Sequence, residues 1–67
     1  MNQYYVVPDK DALGWYVKIE DTAPIELYDK KDKAIDAGVH IAKDHRPSHL
    51  SILDSDHNVE EERIYKV

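Results

Sequence analysis

The chain has 67 residues, with 9 lysines and arginines against 14 aspartates and glutamates, so its formal charge at pH 7 is −5. That length predicts one domain, residues 1–67, with a small core, because a chain of this size buries only about 60% of the surface that its unfolded form exposes. The absence of cysteine excludes disulfides, thiolate metal sites and cysteine nucleophiles. Composition alone therefore identifies no function.

The start of the chain and its charge distribution disfavour two classes of protein. Residues 1–4 lack the basic start and apolar run of a signal peptide, and no apolar stretch is long enough to span a membrane. We therefore expect a cytoplasmic protein. Acidic segments on both sides of a slightly basic middle would repel phosphate backbones over a Debye length of about 8 to 10 Å, which disfavours nucleic acid as a partner.

The first 28 residues carry the pattern of three β-strands. Residues 4–7 are β-branched and aromatic, which is typical of a strand. Residues 15–20 alternate between apolar and polar side chains, as in a half-buried strand. A turn over residues 21–24 precedes a shorter alternation over residues 25–28. Together these segments predict an antiparallel meander.

The hydrophobic period changes after Asp29, which predicts a helix that ends before Pro47. Asp29 is the predicted N-cap, because aspartate is among the residues preferred there. Gly38 lies in the middle of the apolar stripe, where glycine costs about 1 kcal/mol of helix propensity relative to alanine. We therefore expect the helix to approach the sheet closely at Gly38, with Trp15 as the bulky neighbour.

Two further strands are predicted after the helix. Residues 49–53 alternate, and a polar turn over residues 54–58 leads into a fifth strand over residues 59–67. The three glutamates at 60–62 favour an edge position for that strand, because charges on an edge discourage pairing with other chains. The predicted fold class is α+β, an antiparallel sheet with one packed helix in the order β-β-β-α-β-β.

Four parts of the chain together carry a family resemblance. They are the opening Tyr4-Tyr5-Val6-Val7-Pro8, the strand Gly14-Trp15-Tyr16-Val17-Lys18, the helix segment Lys33-Ala34-Ile35-Asp36-Ala37-Gly38 that runs on to Ile41-Ala42-Lys43, and the late Asp56 and Tyr65. In these features the chain resembles the YdaT-like family of small bacterial domains of unknown function. The resemblance covers nearly the whole chain, and it implies a single domain and no settled activity.

The chain departs from that family pattern at three positions. Lys30 stands where the family usually has threonine, so the resemblance leaves Asp29 as the start of the helix. Val39 stands where the family has a charged residue; the wider apolar stripe indicates either a surface for a partner or an extended core. His57 stands where the family has glycine, which implies that the last turn takes its positive φ at Asn58 or has none.

The open side of the predicted sheet is the leading candidate for a binding surface. Tyr5, Val7, Tyr16 and Lys18 are predicted on the side opposite the helix, where a second copy of the chain or another protein could cover them. Val39 completes the predicted set of partner-binding residues. The sequence therefore favours a non-enzymatic interaction module that forms a homodimer or binds a protein partner.

The alternative function is association with nucleic acid. In that hypothesis the sheet aromatics stack on bases, and Lys30, Lys31 and Lys33 bind phosphate near the helix N-terminus. No spacing among the four histidines predicts a metal site, and the sequence contains no nucleophile motif or Gly-rich phosphate loop. We therefore expect no metal, no cofactor and no catalytic residue.

Overall fold

The computed structural model describes residues 1–11, 13–20 and 24–67, and for residues 24 and 25 it describes the backbone alone. These ranges form β1 (Asn2–Pro8), β2 (Trp15–Ile19), β3 (Pro24–Tyr28), α1 (Lys31–Asp44), β4 (Ser48–Leu53) and β5 (Val59–Tyr65). The predicted α+β class and the predicted order of the elements are confirmed. Most of the turn predicted over residues 21–24 lies outside the described residues, and its last residue begins β3.

The five strands form one mixed sheet in the order β3-β2-β1-β4-β5. β1 pairs antiparallel with β2 and parallel with β4, where Tyr4 lies opposite Leu50. The prediction of a purely antiparallel sheet is therefore wrong. The physical reason is that α1 runs back along the sheet from the end of the edge strand β3, so β4 enters in the same direction as β1. β5 lies at the other edge, as predicted.

The hydrophobic core lies between α1 and one face of the sheet. Alternate residues of β1, β2 and β4 point toward α1, which contributes two alanines, and the buried apolar residues are Tyr4, Val6, Val17, Ala34, Ala42, Leu50 and Ile52. Burial of each of the larger aliphatic side chains contributes about 1.5 to 3 kcal/mol. One face of the sheet and one face of the helix therefore carry most of the hydrophobic stabilisation.

Gly38 allows α1 to lie close to the sheet. A Cβ atom at this position would be 3.2 Å from Cγ2 of Val6 and 3.3 Å from Cδ1 of Leu50. The predicted close approach is confirmed, but the predicted neighbour Trp15 is wrong. Trp15 is half-buried at the start of β2, where Nζ of Lys31 lies 4.8 Å from the centre of its ring.

The N-terminus of α1 differs from the prediction. The N-cap is Lys30 rather than Asp29, and its extended backbone (φ −129°, ψ 144°) has no side-chain capping hydrogen bond. Asp29 directly follows β3, and its Oδ1 lies 3.4 Å from Nζ of Lys33. The carboxylate of Asp29 therefore pairs with a lysine of the first helical turn instead of accepting from a helix N–H.

The turn between β4 and β5 takes its positive φ at His57 (65°), so the prediction that placed it at Asn58 is wrong. Asp54 stabilises the turn, because its Oδ1 accepts hydrogen bonds from the backbone N–H groups of Asp56 and Asn58 at 2.9 and 3.0 Å. The backbone N–H of His57 also donates to the carbonyl of Asp54. These three bonds hold a non-glycine residue in a conformation that most residues avoid.

The C-terminus of α1 is tied to the two central strands. The hydroxyl of the buried Ser48 donates to the carbonyl of Ala42 at 2.6 Å, and Nδ2 of Asn2 donates to the carbonyl of His45 at 2.7 Å. The carbonyl of Ala42 also accepts from the backbone N–H of His45 at 3.3 Å, so side chains and backbone together satisfy the last carbonyls of the helix. Across the described residues, no helix is long and apolar enough to cross a membrane.

Candidate interaction surface

The side of the sheet that α1 does not cover is the main candidate site, and we call it the open face. Its side chains alternate along each strand with those that point to the helix. They are Gln3, Tyr5 and Val7 of β1, Tyr16 and Lys18 of β2, Leu27 of β3, His49, Ser51 and Leu53 of β4, and Val59, Glu62 and Ile64 of β5.

Four of the five residues predicted to bind a partner lie together on the open face. Tyr5 pairs with Lys18 and Val7 pairs with Tyr16 across β1 and β2, and all four are half-buried. Nζ of Lys18 lies 5.9 Å from the centre of the Tyr5 ring, within the range of a cation–π contact. These four residues form a compact patch at the middle of the sheet.

Val39 does not belong to this patch. It lies on α1, on the other side of the sheet, where it is half-buried and packs against the core. Its burial corresponds to the extended core that the sequence left as an alternative. The predicted set of five residues is therefore divided between two layers of the fold.

The three lysines of the alternative hypothesis also lie on the helix side. Nζ of Lys31 forms an ion pair with Glu60 at the start of β5, and Lys33 pairs with Asp29. Lys30 is exposed at the N-cap. The lysines and the open-face aromatics therefore lie on opposite sides of the molecule, and two of the three lysines already have carboxylate partners.

Sequence reasoning missed the part of the open face that β3, β4 and β5 provide. Leu27, Val59 and Ile64 are 42%, 54% and 60% exposed, although all three are large apolar residues. A signal is present in the alternation of residues 49–53, because a pattern that points Leu50 and Ile52 inward makes the residues between and after them face outward. The glutamates of β5 by themselves indicate only the protection of an edge.

Polar side chains cross the middle of the open face. Nε2 of Gln3 donates to Oγ of Ser51 at 3.3 Å. Nε2 of His49 lies 3.0 Å from Oε1 of Glu62, but this contact lacks hydrogen-bond alignment, and Nε2 is buried without a hydrogen-bond partner among the described residues. The two side chains are therefore close neighbours on the open face without an aligned hydrogen bond between them.

A shallow groove of about 640 Å³ lies at one end of the open face, between the patch of Val7, Tyr16 and Lys18 and the loops that carry Asp9 and His57. Loss of solvent around the ring raises the pKa of the Tyr16 phenol, and the negative charge of Asp9 raises it further. The phenol therefore ionises at a higher pH than an ordinary tyrosine.

The substitution Asp9→Asn is expected to lower the pKa of Tyr16 without returning it to the ordinary value, because the desolvation of the ring remains. A phenol with a raised folded-state pKa loses stability as the pH rises from its unfolded pKa through its folded pKa, so this alkaline loss should shrink in the variant. An NMR titration of the Tyr16 ring measures the pKa, with the exposed Asp32→Asn as control. An unchanged Tyr16 pKa in Asp9→Asn would contradict the assigned contact.

The other shifted pKa values belong to surface pairs. A hydrogen bond to Glu26 raises the pKa of Tyr28, and the guanidinium of Arg63 lowers the pKa of Glu61, with Nε and Oε2 2.6 Å apart. Both pairs join residues two positions apart on an edge strand. In residues 1–11, 13–20 and 24–67 no group of three or more histidine or carboxylate side chains is close enough to hold a metal ion.

Comparison with known proteins gives the family. Residues 4–65 match the family model described as "Uncharacterized protein conserved in bacteria (DUF2188)". The chain belongs to this family. The finding confirms a small bacterial domain of unknown function, whereas the name YdaT-like, to which the motifs pointed, is not confirmed.

The chain is also similar to an individual bacterial protein. The chain is 42% identical over 65 residues to the uncharacterized protein YycD of Bacillus subtilis (strain 168), and the alignment covers 97% of this chain and 98% of YycD. No solved structure matches the chain significantly. The DUF2188 match runs from β1 to the end of β5 and therefore includes every open-face residue except Gln3.

Proposed function

We propose that this DUF2188 protein is a non-enzymatic interaction module that binds protein through the open face. The observation that carries the proposal is the one-sided cover of the sheet, because α1 packs on one face and leaves aromatic and aliphatic side chains on the other. Apolar and aromatic residues grouped on one surface together with polar side chains are typical of protein-binding sites. A cytoplasmic location stays a prediction.

The composition of the open face favours protein over nucleic acid. Aromatic rings and arginine are enriched in protein interfaces, and here Tyr5 and Tyr16 occupy the central strands. Binding to a phosphate backbone depends on several cations on one surface. The open face offers Lys18 together with the acidic Glu62, while the lysines at 30, 31 and 33 lie on the helix side.

The non-enzymatic part of the proposal is supported by the shifted pKa values, because the Tyr16 phenol beside the groove shifts upward, away from neutral pH, and the other shifted groups lie on edge strands. Functional acids and bases combine a perturbed pKa with a place in a cleft. The pairs Tyr28 with Glu26 and Glu61 with Arg63 lie on the two edge strands, where a local hydrogen bond is the largest cause of the pKa shifts of Tyr28 and Glu61. Such pairs stabilise a surface and provide no enclosed site for a substrate.

Site-specific photo-cross-linking in the native cell tests this proposal. Tyr5 is replaced by benzoylphenylalanine, which keeps an aromatic ring on the open face, and the control replaces Asp36, which is exposed on α1. We expect a protein adduct of discrete mass from position 5 and none from position 36. A nuclease-sensitive adduct would replace the proposal by the nucleic-acid alternative, and equal labelling at both positions or no adduct at position 5 would refute it.

A further inference from the structure

We infer that the partner of the open face is a second copy of this chain, related by a two-fold axis parallel to the strands that places Lys18 of each copy opposite Glu62 of the other. The inference rests on the proposed function, since it names the occupant of that surface. The register of the sheet lines up one row of open-face side chains across β2, β1, β4 and β5.

The central row of the open face carries opposite charges at its two ends. Lys18 pairs with Tyr5, Tyr5 pairs with Ser51, and Ser51 pairs with Glu62. Neighbouring strands are about 4.8 Å apart, so the two charges at the ends of the row are separated by about 14 Å. They are too far apart to neutralise each other within one chain.

The charge order of this row selects the symmetry of a dimer. In a face-to-face pair, a two-fold axis along the strands between β1 and β4 exchanges the two ends of the row, so Lys18 meets Glu62 of the second copy twice. An axis across the strands would instead place Lys18 against Lys18 and Glu62 against Glu62, which is repulsive. The row is therefore self-complementary for one of the two arrangements.

The neighbouring row of the open face is self-complementary in shape and polarity. Val7 pairs with Tyr16, and Leu53 pairs with Val59. Val7 and Leu53 follow the paired residues Val6 and Ile52 on β1 and β4, so the four apolar side chains form one row. The same axis places Tyr16 against Val59 of the second copy and Val7 against Leu53, which gives a dry apolar strip beside the ion pairs.

Existing contacts within the chain leave both charges able to reach a partner. The contact of Lys18 with Tyr5 is a 5.9 Å cation–π contact, and the Glu62 side chain is 56% exposed beside His49. In these two contacts, neither the Lys18 ammonium nor the Glu62 carboxylate forms an aligned hydrogen bond. A second copy could therefore engage them without breaking a buried pair.

The size of the open face sets the expected strength of the dimer. Four strands about 20 Å long and 4.8 Å apart bury about 1,000 Å² in total when two such faces meet, which is at the lower end for specific interfaces. β3 lies outside the four overlapping strands. We therefore expect a weak dimer that forms at high micromolar concentration and dissociates on dilution. Its geometry, two sheets packed face to face with nearly aligned strands, is a known form of sheet packing.

Charge reversal with rescue tests the arrangement. Sedimentation equilibrium of the full chain should show a dimer for the wild type, and at least tenfold weaker dimerisation for Lys18→Glu and for Glu62→Lys. The double variant should return to within about threefold of the wild type, because both ion pairs are restored with reversed polarity. An equimolar mixture of the two single variants should form a heterodimer, since all its facing pairs are opposite in charge.

Matched controls reverse the same charges on the helix side, with Lys33→Glu and Asp36→Lys, and should leave dimerisation unchanged. A single variant that fails a circular dichroism test of folding is replaced by Lys18→Gln or Glu62→Gln, for which a smaller loss is expected. A wild-type monomer at millimolar concentration, or a dimer that ignores both reversals, would overturn the inference. The proposed function would survive that result if position 5 still cross-linked to a different protein.

Discussion

Replacing Leu50 with alanine is expected to remove a large share of the free energy that keeps the protein folded at 25 °C. Leu50 is fully buried at the centre of β4, and its Cδ1 lies beneath Gly38 of α1. Truncation of a buried leucine costs about 2 to 5 kcal/mol. A chain of this length has a free energy of unfolding of about 3 to 10 kcal/mol, so the loss is about half of it at the middle of both ranges.

Urea unfolding followed by circular dichroism measures this effect. The control is Leu13→Ala, because Leu13 is 68% exposed and its removal should change the free energy of unfolding by less than about 0.5 kcal/mol. Equal stability of the two variants would show that the core between α1 and the sheet does not carry the fold.

The second large effect is expected for Gly14→Ala. Gly14 has a φ of +155°, and a Cβ atom there would lie 2.1 Å from the backbone carbonyl oxygen of Tyr28. That oxygen belongs to a paired strand and has little room to move, so relief requires β2 and β3 to separate at this end. Strain of this kind costs on the order of 2 to 4 kcal/mol, and β3 should lose its protection from amide hydrogen exchange first.

Gly38→Ala is the matched control for Gly14→Ala. Its new methyl would meet side-chain ends of Val6 and Leu50 at 3.2 and 3.3 Å, which can shift by a few tenths of an ångström. The gain of about 1 kcal/mol in helix propensity offsets part of that contact. We therefore expect a much smaller change in the melting temperature than for Gly14→Ala, and a larger loss at Gly38 than at Gly14 would contradict the close contact between Gly14 and Tyr28.

The elements of this fold could be predicted because hydrophobic period is a local property. Alternation over residues 15–20 and the 3.6-residue period after Asp29 predict which side chains are buried, and the structure agrees except at Ile19, which is 38% exposed at the end of β2. Strand order depends on where the chain returns after the helix, which local patterns do not record. One signal for it existed, since residues 4–7 are apolar on both faces, as is typical of a central strand.

The ends of elements were harder to predict because they depend on tertiary contacts. Asp29 has the right chemistry for an N-cap, but β3 continues to Tyr28 and leaves Lys30 as the residue that enters the helix. His57 adopts a positive φ because three hydrogen bonds around Asp54 hold the turn. In both cases a neighbouring element overrides the preference of a single residue.

The candidate site could be predicted only in part, because its residues come from strands that are adjacent in sequence and from strands that are far apart. Tyr5, Val7, Tyr16 and Lys18 lie on two strands that are adjacent in sequence, so alternation alone brings them together. Glu62 joins them only through the pairing of β1 with β4 and of β4 with β5. A row that crosses a parallel pair of strands cannot be assembled before the sheet order is known.

The central position of β1 affects how the chain folds during synthesis. β1 is synthesised before the other four strands of the sheet. Its second neighbour, β4, forms only after Leu50, which lies opposite Tyr4, has been made. Until then the growing chain can form the hairpins of β1, β2 and β3 with one edge of β1 unpaired, and such edges pair readily with other chains. A nascent chain that stalls before β4 therefore exposes one edge of the strand that ends up at the centre of the sheet, and completion of β4 covers that edge.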